Sequence, residues 1–542
     1  MKIAGVWSGH DCSYCVLEDG QPLIHDEYER FIREKEPKGD SIDFMFKNYA
    51  DFNDIKYVAA STPPRVMEAY SSSMSKMNEI VEKNGGKLFY VGHHESHAAN
   101  TFFSSNFDDS IILTLDGGGV EADGFETACT IWSGKGNKIK LLDRLPLRQF
   151  NIGGLWTRAT RYIFKLQSGW PRGHQAGTVM AMSAFGDPTR FVDDFIKMLT
   201  RDIHLASFKP PTQPRGPYIA GKDPIHPYLQ KWSELADENE QNRFDLAASL
   251  QVATELVFKD LLANIFKQVP GTNLCLAGGV TLNSVMTGKI HKWFPHIKGM
   301  YTTPTPHDGG LAIGAAQYVW HQVLDNPRIQ WLDNFTPYLG KTYTKNEIVT
   351  VLDTKDDLTR QPASDDDVVK LLNEQNIVSV FGGGSESGRR ALGNRSILAD
   401  PRSPTMKDMI NEKVKHRQWF RPFAPSVLEE HAADWFNNYM ESPYMSLVLD
   451  FKQDKQPLVP AVVHKDGSAR LQTVKKNDNP WYHSFLEKWN DLSGVPVILN
   501  TSFNDREPIC ETPLHAIDCF SRTEIDYLYF YDHGLLVSKN KK

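Results

Sequence analysis

Ser110-Ile111-Ile112-Leu113-Thr114-Leu115-Asp116-Gly117-Gly118-Gly119 is the stretch whose reading decides the fold. A mostly apolar run closed by three glycines reads as a buried strand that ends in a turn. Glu126 to Ser133 and Lys138 to Leu145 follow as strands, and Phe244 to Phe266 as a long helix. A further strand, Leu274 to Ala277, enters Gly278-Gly279, with a helix expected over Thr281 to Trp293. The same order of elements stands earlier in the chain. Strands are expected at Lys2 to Trp7, Ser13 to Leu17 and Pro22 to Tyr28, joined through Ser8-Gly9-His10-Asp11 and Asp19-Gly20. A helix near Ser41 to Ala50, a strand at Ile55 to Ala60, a helix near Arg65 to Lys83 and a strand at Lys87 to Val91 come next. That strand runs into a helix beginning near His94. The repetition is one of element order, not of sequence.

Two such halves facing each other place several glycine turns around one cleft. By analogy this is the layout of the actin/sugar-kinase/Hsp70 class of ATP-binding α/β folds. The stretch from Asp325 to Asp367, with Pro327, Pro337, Pro362 and the run Asp365-Asp366-Asp367, reads as a boundary. The expected domains are therefore 1–350 and 360–542. The second opens with a helix at Val368 to Asn376 and a strand at Ile377 to Phe381, and closes with strands near Val495 to Leu499 and Ile525 to Tyr531.

The chain has 542 residues, 40% hydrophobic and 23% charged, with 38 Gly and 31 Pro. This composition excludes a disordered, collagen-like or disulfide-stapled protein. The net charge is -7, so any nucleic-acid role would have to rest on a local basic patch, and neither nucleic acid nor membrane is expected as a partner. Six cysteines are sparse for this length and favour a reducing compartment. Cys12 and Cys15 are spaced as C-x-x-C, but on a strand such a pair points to opposite faces, which argues against zinc or redox chemistry. Only five apolar residues follow Met1-Lys2, too few for a signal-peptide core, and no run of about 18 apolar residues occurs. The expected location is cytoplasmic.

Four constellations carry chemistry. In Gly92-His93-His94-Glu95-Ser96-His97, His93 and His97 are four apart and share a helix face, so both imidazoles could reach one metal ion. The H-E-x-x-H pattern fails, since position 98 is Ala98. Asp116 and Asp308, the latter in Pro306-His307-Asp308-Gly309-Gly310, could add carboxylates suited to iron(II), manganese or zinc. The glycine turns at Gly117, Gly278 and Gly279, with Asn283 following, offer backbone N–H groups of the kind that bind nucleotide phosphates. From Arg389 to Arg421 nine Lys/Arg stand against three Asp/Glu, a local charge of +6 that calls for a polyanion. Arg390, Arg395, Lys415, Arg417 and Arg421 are its candidate ligand-binding residues. Last, the apolar strand that ends in Asn500-Thr501-Ser502 brings an amide and hydroxyls to a ligand.

Taken together these segments resemble the O-carbamoyltransferases of the NodU/CmcH family. The resemblance is carried by Gly9-His10-Asp11 with Glu29-Arg30, the His93/His97 pair, Asp116-Gly117, Gly278-Gly279-Val280 with Asn283-Ser284, and Asp308-Gly309 with Gly314-Ala315-Ala316. In the C-terminal part it is carried by Arg390 to Ile397, Phe420 to Pro425, and Asn500 to Asn504. It implies an N-terminal domain like the tRNA threonylcarbamoyl transferase subunit and a C-terminal YrdC-like α+β domain. The implied reaction has two steps: carbamoyl phosphate and ATP, with magnesium, give carbamoyl adenylate, and the carbamoyl group then passes to a hydroxyl of a small-molecule or sugar acceptor. His93, His97, Asp116 and Asp308 match iron ligands, Fe(II) or another divalent transition metal, and His10 matches a histidine of the transfer step. Arg390 and Arg395 would act in adenylate formation. Three positions depart from the family pattern: Arg389 stands for a proline, Thr178 for a lysine, and Asp505-Arg506 for a stretch with glycine.

Other readings combine the same parts. A fused tRNA threonylcarbamoyladenosine synthase would share both domain types, and a hydrogenase-maturation carbamoyltransferase would add paired C-x-x-C zinc modules. A non-catalytic, nucleotide-regulated interaction protein would bind ATP without releasing pyrophosphate. The acceptor pocket is expected within Ile203 to Arg243.

Overall fold

In the computed structural model the strand Lys2–Trp7 (β1) is buried along its whole length, at the centre of a five-stranded sheet. Residues 1–52, 54–61, 71–147, 150–166, 175–199 and 227–540 are described. They form two compact units, Met1–Met286 with Ile290–Trp331, and Thr287–Lys289 with Leu332–Lys542.

The first unit contains two sheets of the same design. One has the order β3-β2-β1-β4-β5, with β2 Ser13–Glu18, β3 Gln21–Glu27, β4 Ile55–Ala60 and β5 Lys87–Tyr90. The first three strands form an antiparallel meander, and β4 and β5 add parallel to β1. The second sheet comprises β6 Asp109–Val120, β7 Glu126–Lys135, β8 Lys138–Pro146, β9 Asn273–Ala277 and β10 Gly299–Thr302. Its order, β8-β7-β6-β9-β10, repeats the first, with an antiparallel meander and two parallel additions. The expected duplication of element order is thus a duplication of sheet topology, and the unit has the doubled α/β architecture anticipated for it.

Two helices occupy the space between the sheets. Leu311–Tyr318 packs on β1, β2 and β4, His93–Ser104 packs on β6, β7 and β9, and the two helices pack on each other. Both are buried nearly all round because each is faced by a sheet on one side and a helix on the other. Gly314 permits this closeness: a Cβ there would lie 1.9 Å from the carbonyl oxygen of Ser96.

Several local expectations are corrected. Asp116–Gly119 is no simple turn, because β6 continues to Val120 through a register shift between Leu115 and Gly119. The helix expected over Thr281 to Trp293 is broken into a 3-10 turn, Gly279–Leu282, and short helices at Ser284–Thr287 and Ile290–Trp293. Gly278 sets that break, with φ +93 and a backbone so close to Leu115 that a Cβ would meet its carbonyl oxygen at 2.0 Å. The strand Gly299–Thr302 went unread, being only four residues long. Of the helix expected near Arg65 to Lys83, Ser71–Lys83 is helical and residues 65–70 lie outside the described residues.

The second unit is built on one nine-stranded mixed sheet, order β11-β19-β18-β12-β13-β17-β14-β16-β15. Its strands are β11 Leu358–Pro362, β12 Val378–Phe381, β13 Arg395–Ala399, β14 Ala424–Leu428, β15 Leu447–Asp450, β16 Ser468–Val474, β17 Val497–Ser502, β18 Tyr527–Phe530 and β19 Leu535–Lys539. Helices Asp365–Asn373 and Pro480–Ser493 pair over one face, where Val368, Leu372, Leu398, Tyr482, Phe485 and Trp489 form the core. Residues 332–350 group with this unit, whereas the expected boundary placed them in the first. The backbone amide of Ser387 donates to Pro337 O (2.6 Å), that of Gly340 to Ser385 O (3.0 Å), and the Tyr338 hydroxyl to Leu392 O (3.0 Å). Among the described residues no helix is long and apolar enough to cross a membrane.

The helix pair yields a first prediction. Gly314→Ala should force the two central helices apart and lower stability by about 1–3 kcal/mol, read as a reduced urea midpoint, with a matching loss of activity. A variant as stable as the parent would show that the contact does not constrain the unit.

Candidate active site

The functional side chains of the first unit stand where parallel strands end, the ordinary place for ligands in α/β sheets. His10 follows β1, His93 and His97 lie on the helix after β5, Asp116 lies in β6, and Asp308 begins a 3-10 turn after β10. Gly92 caps the His93–Ser104 helix and Glu95 returns to the Gly92 amide at 3.1 Å, which fixes where the helix starts.

Four of the residues named from sequence converge. His93 Nε2 is 3.1 Å from Asp116 Oδ2 and 3.6 Å from Asp308 Oδ1. His97 Nε2 is 3.4 Å and 3.5 Å from the same two oxygens. His93, His97 and Asp308 are buried and Asp116 nearly so. Ligands about 2.1 Å from a common ion stand about 3.0–3.5 Å apart, so two imidazoles and two carboxylates at these separations fit a divalent transition ion. Burial works against charge on His97, yet Asp116 and Asp308 outweigh it and hold its pKa up at about 9. Burial would raise the Asp116 carboxyl, but His93 and His97 hold it well below the usual carboxylate range.

His94 points elsewhere. Its Nδ1 meets Thr114 Oγ1 at 2.6 Å and its Nε2 meets Thr127 O at 3.1 Å, and burial followed by the neighbouring His93 and His97 push its pKa down. It is a structural imidazole.

His10 borders the quartet, with Nε2 3.3 Å from Asp308 Oδ2 and Nδ1 2.9 Å from Asp11 Oδ2. Its side chain is 52% exposed. Desolvation opposes its charge, while Asp308 and Asp11 outweigh that and raise its pKa to about 10. Behind Asp308, His307 Nε2 lies 3.3 Å from Glu27 Oε1, and Arg30 donates to Glu27 Oε2 at 3.3 Å. Ser13 Oγ and His25 Nε2 each meet Gly309 O at 2.8 Å. These buried groups hold the Asp308 turn, and apart from the Glu29-Arg30 pair no spacing in the sequence announces them.

The glycine amides expected to bind phosphate are engaged inside the site. Gly117 and Gly279 donate to Asp116 Oδ1 at 2.7 and 3.3 Å, and Gly278 donates to Pro306 O at 2.6 Å. They position a carboxylate. Asn283 forms a side-chain pair with Gln251, Nδ2 to Oε1 at 2.9 Å and Nε2 to Oδ1 at 3.1 Å. Of the expected acceptor segment, residues 203–226 lie outside the described residues. The rest is helical on either side of Asn239, and Arg243 donates to Phe164 O.

In the second unit the basic segment separates into two groups. Arg390, Arg417 and Arg421 gather with Arg470, which lies outside the basic run. Burial lowers the pKa of all four, and mutual repulsion adds to it at three: Arg470, Arg389 and Arg421 act on Arg390, Arg421 and Arg470 on Arg417, and Arg421 on Arg470, which falls to about 10. No ion pair joins any of the four to a carboxylate among the described residues. His464 adjoins them; its pKa is pushed down to about 4 by burial, with Arg470 and Lys407 adding to the effect. Crowded, desolvated guanidiniums of this kind attract anions.

Arg395 and Lys415 do not join that group. Arg395 is fully buried over Phe381, and its guanidinium donates to the carbonyls of Gly382, Gly383 (3.2 Å) and Asn394 (3.0 Å). Lys415 Nζ donates to Ser502 O, Asn504 O (2.8 Å) and Asn504 Oδ1 (2.7 Å). Asn500 Nδ2 ties Ala391 O, Ser426 Oγ and Gln472 Oε1 together, and Ser502 Oγ donates to Asn504 Oδ1. These residues shape the loops that carry the arginines.

A doubled α/β unit with a two-histidine, two-aspartate quartet is thus joined in one chain to a unit that carries a cluster of guanidiniums. Two family models match: the carbamoyltransferase N-terminus over residues 64–317 and the carbamoyltransferase C-terminus over residues 369–538. The chain belongs to the carbamoyltransferase family and is an enzyme that transfers carbamoyl groups, which sets aside the non-catalytic reading. Nodulation protein NolNO of Sinorhizobium fredii is 33% identical over 96% of this chain and 78% of its own. The 3'-hydroxymethylcephem-O-carbamoyltransferase of Amycolatopsis lactamdurans is 29% identical over 74% of each. Among solved structures, full-length HypF in its phosphate- and nucleotide-bound form aligns at 15% identity and a TM-score of 0.35, over 60% of this chain and 56% of its own, a likeness too partial to carry an argument.

Metal counting tests the quartet. Full-length protein loaded with iron(II) or manganese(II) and desalted should retain about one ion per chain, and Asp308→Ala or the His93→Ala/His97→Ala pair should fall to background. Unchanged metal in the double variant would exclude these four side chains as the site.

Proposed function

We propose that the protein is an ATP-dependent O-carbamoyltransferase working in two steps. The observation that carries this reading is the cluster of Arg390, Arg417, Arg421 and Arg470, four partly buried, desolvated guanidiniums with no carboxylate paired to them among the described residues. Carbamoyl phosphate and ATP together bring four phosphate groups, which would relieve the repulsion that the cluster stores.

In the first step carbamoyl phosphate and water give carbamate and phosphate. A carbamate oxygen then attacks the α-phosphorus of ATP, pyrophosphate leaves with its bonding pair, and carbamoyl adenylate forms. The second unit supplies the cations for these anions, with magnesium as the nucleotide's counter-ion. Carbamate and its adenylate are short-lived in water, so the cluster's burial serves their survival.

In the second step an acceptor hydroxyl attacks the carbamoyl carbon and AMP departs. An alcohol is a weak nucleophile near neutral pH, so its proton needs a base. We assign that role to His10, which is half exposed and adjoins the quartet. It can accept the proton only as neutral imidazole, so Asp308 must be engaged elsewhere when it does. His93, His97, Asp116 and Asp308 would hold Fe(II) or another divalent transition ion, which supplies Lewis-acid charge when bound. The acceptor is a hydroxyl-bearing small molecule or sugar, in keeping with the cephem carbamoyltransferase among its relatives.

Pyrophosphate release dependent on carbamoyl phosphate should fall at least about tenfold in Arg390→Ala and in Arg470→Ala, since each removes a charge-assisted contact of roughly 1.5–3 kcal/mol. His93→Ala/His97→Ala should retain that release and lose carbamoylation of an alcohol, followed by mass spectrometry with labelled carbamoyl phosphate. Full release in both arginine variants, or adenylate formation that requires threonine and bicarbonate instead of carbamoyl phosphate, would overturn the reading.

A further inference from the structure

Helix Pro480–Ser493 carries His483, Glu487 and Asp491 at successive four-residue steps, which places them along one face. None of the three belongs to the arginine cluster or to the loops that shape it. His483 is buried, its side chain 7% exposed, while Glu487 and Glu430 beside it are about half exposed (52% and 48%). His483 Nε2 lies 3.0 and 3.3 Å from the two oxygens of Glu430. Its Nδ1 lies 3.5 Å from Glu487 Oε2 and makes no hydrogen bond among the described residues. Glu430, His431, Glu487 and Asp491 line a cavity of about 420 Å³. The one lysine in that lining, Lys488, is taken by Asp366 at 2.8 Å.

The two ring nitrogens face different demands. Glu430 can only accept, so it fixes the proton on Nε2. That leaves the Nδ1 lone pair directed at a second carboxylate, two electron-rich atoms that repel unless a cation lies between them. A nitrogen and an oxygen each about 2.1 Å from a tetrahedral ion stand about 3.4 Å apart, close to the separation seen. A ligating imidazole commonly donates its other N–H to a carboxylate, and Glu430 occupies that position.

We propose that His483 Nδ1 and Glu487 bind a divalent transition ion of the zinc class in the second unit, with Glu430 as the outer carboxylate that orients the ring. Water from the cavity completes the ligand shell. The site is separate from the His93/His97 quartet, and two exposed glutamates make it one of moderate affinity.

The test uses zinc(II) alone with the full-length chain at pH 7.5, measured by competition with a chromophoric chelator. The parent protein should bind one equivalent more than Glu487→Ala, and anomalous scattering at the zinc edge should give a peak beside His483. Glu430→Ala should keep the site and weaken it about 10–100-fold. Both substitutions lie on the surface, and carbamoyl transfer should be unchanged in both. Equal zinc stoichiometry in the parent and Glu487→Ala overturns the proposal. So does nitrogen NMR showing His483 still protonated on both ring nitrogens in excess zinc, since the ring would then be an imidazolium bridging two carboxylates.

Discussion

Two helices packed nearly backbone to backbone govern the chemistry of the first unit. Helix 93–104 carries two imidazoles, helix 311–318 follows directly on the turn that presents Asp308, and Gly314 lets them meet at the Ser96 carbonyl. Sheets press on the pair from both sides, so the distance between His93, His97 and Asp308 is set by the packing of the whole unit. Interiors of this density do not yield by fractions of an ångström without cost. The quartet is therefore preorganised, and burying two carboxylates next to two imidazoles is tolerable only because each compensates the other's charge.

The second unit obeys the opposite rule. There, like charges are brought together with no carboxylate paired to them among the described residues. Four crowded, partly buried guanidiniums are a poor way to stabilise a fold and a good way to select a ligand, since a dianion or polyanion restores what folding gives up. The surrounding polar residues make the arrangement hold. Lys415 and Arg395 satisfy backbone carbonyls of the loops, and Asn500 binds the turn immediately after Arg390.

Much of this was readable from the chain. Periodic apolar segments gave most strands, and the repeat of their order gave the doubled sheet. His93 and His97 were legible because helical spacing puts them on one face, and Asp116 and Asp308 because each stands immediately before a pair of glycines. Other roles depended on three-dimensional accounting that sequence does not display. Gly117 and Gly279 looked like phosphate binders, yet their amides are spent on Asp116. Arg395 and Lys415 looked the same as Arg417 and Arg421 within one basic run, and only the folded structure shows which cations are spent on loop carbonyls and which crowd one another. Arg470, some fifty residues beyond that run, joins it through the pairing of β14 with β16. The buried backing of Asp308 by His25, Glu27 and His307 had no local signature because its members come from separate strands.

The anchoring of Asp116 has one more consequence. Its Oδ1 is occupied by two backbone amides, and the Oδ2 of Asp308 is turned to His10, so each carboxylate has a single oxygen to offer the quartet's centre. Denticity is thereby capped at one per aspartate. A divalent ion held by these four side chains would take four donor atoms from the protein and any others from solvent or a reactant.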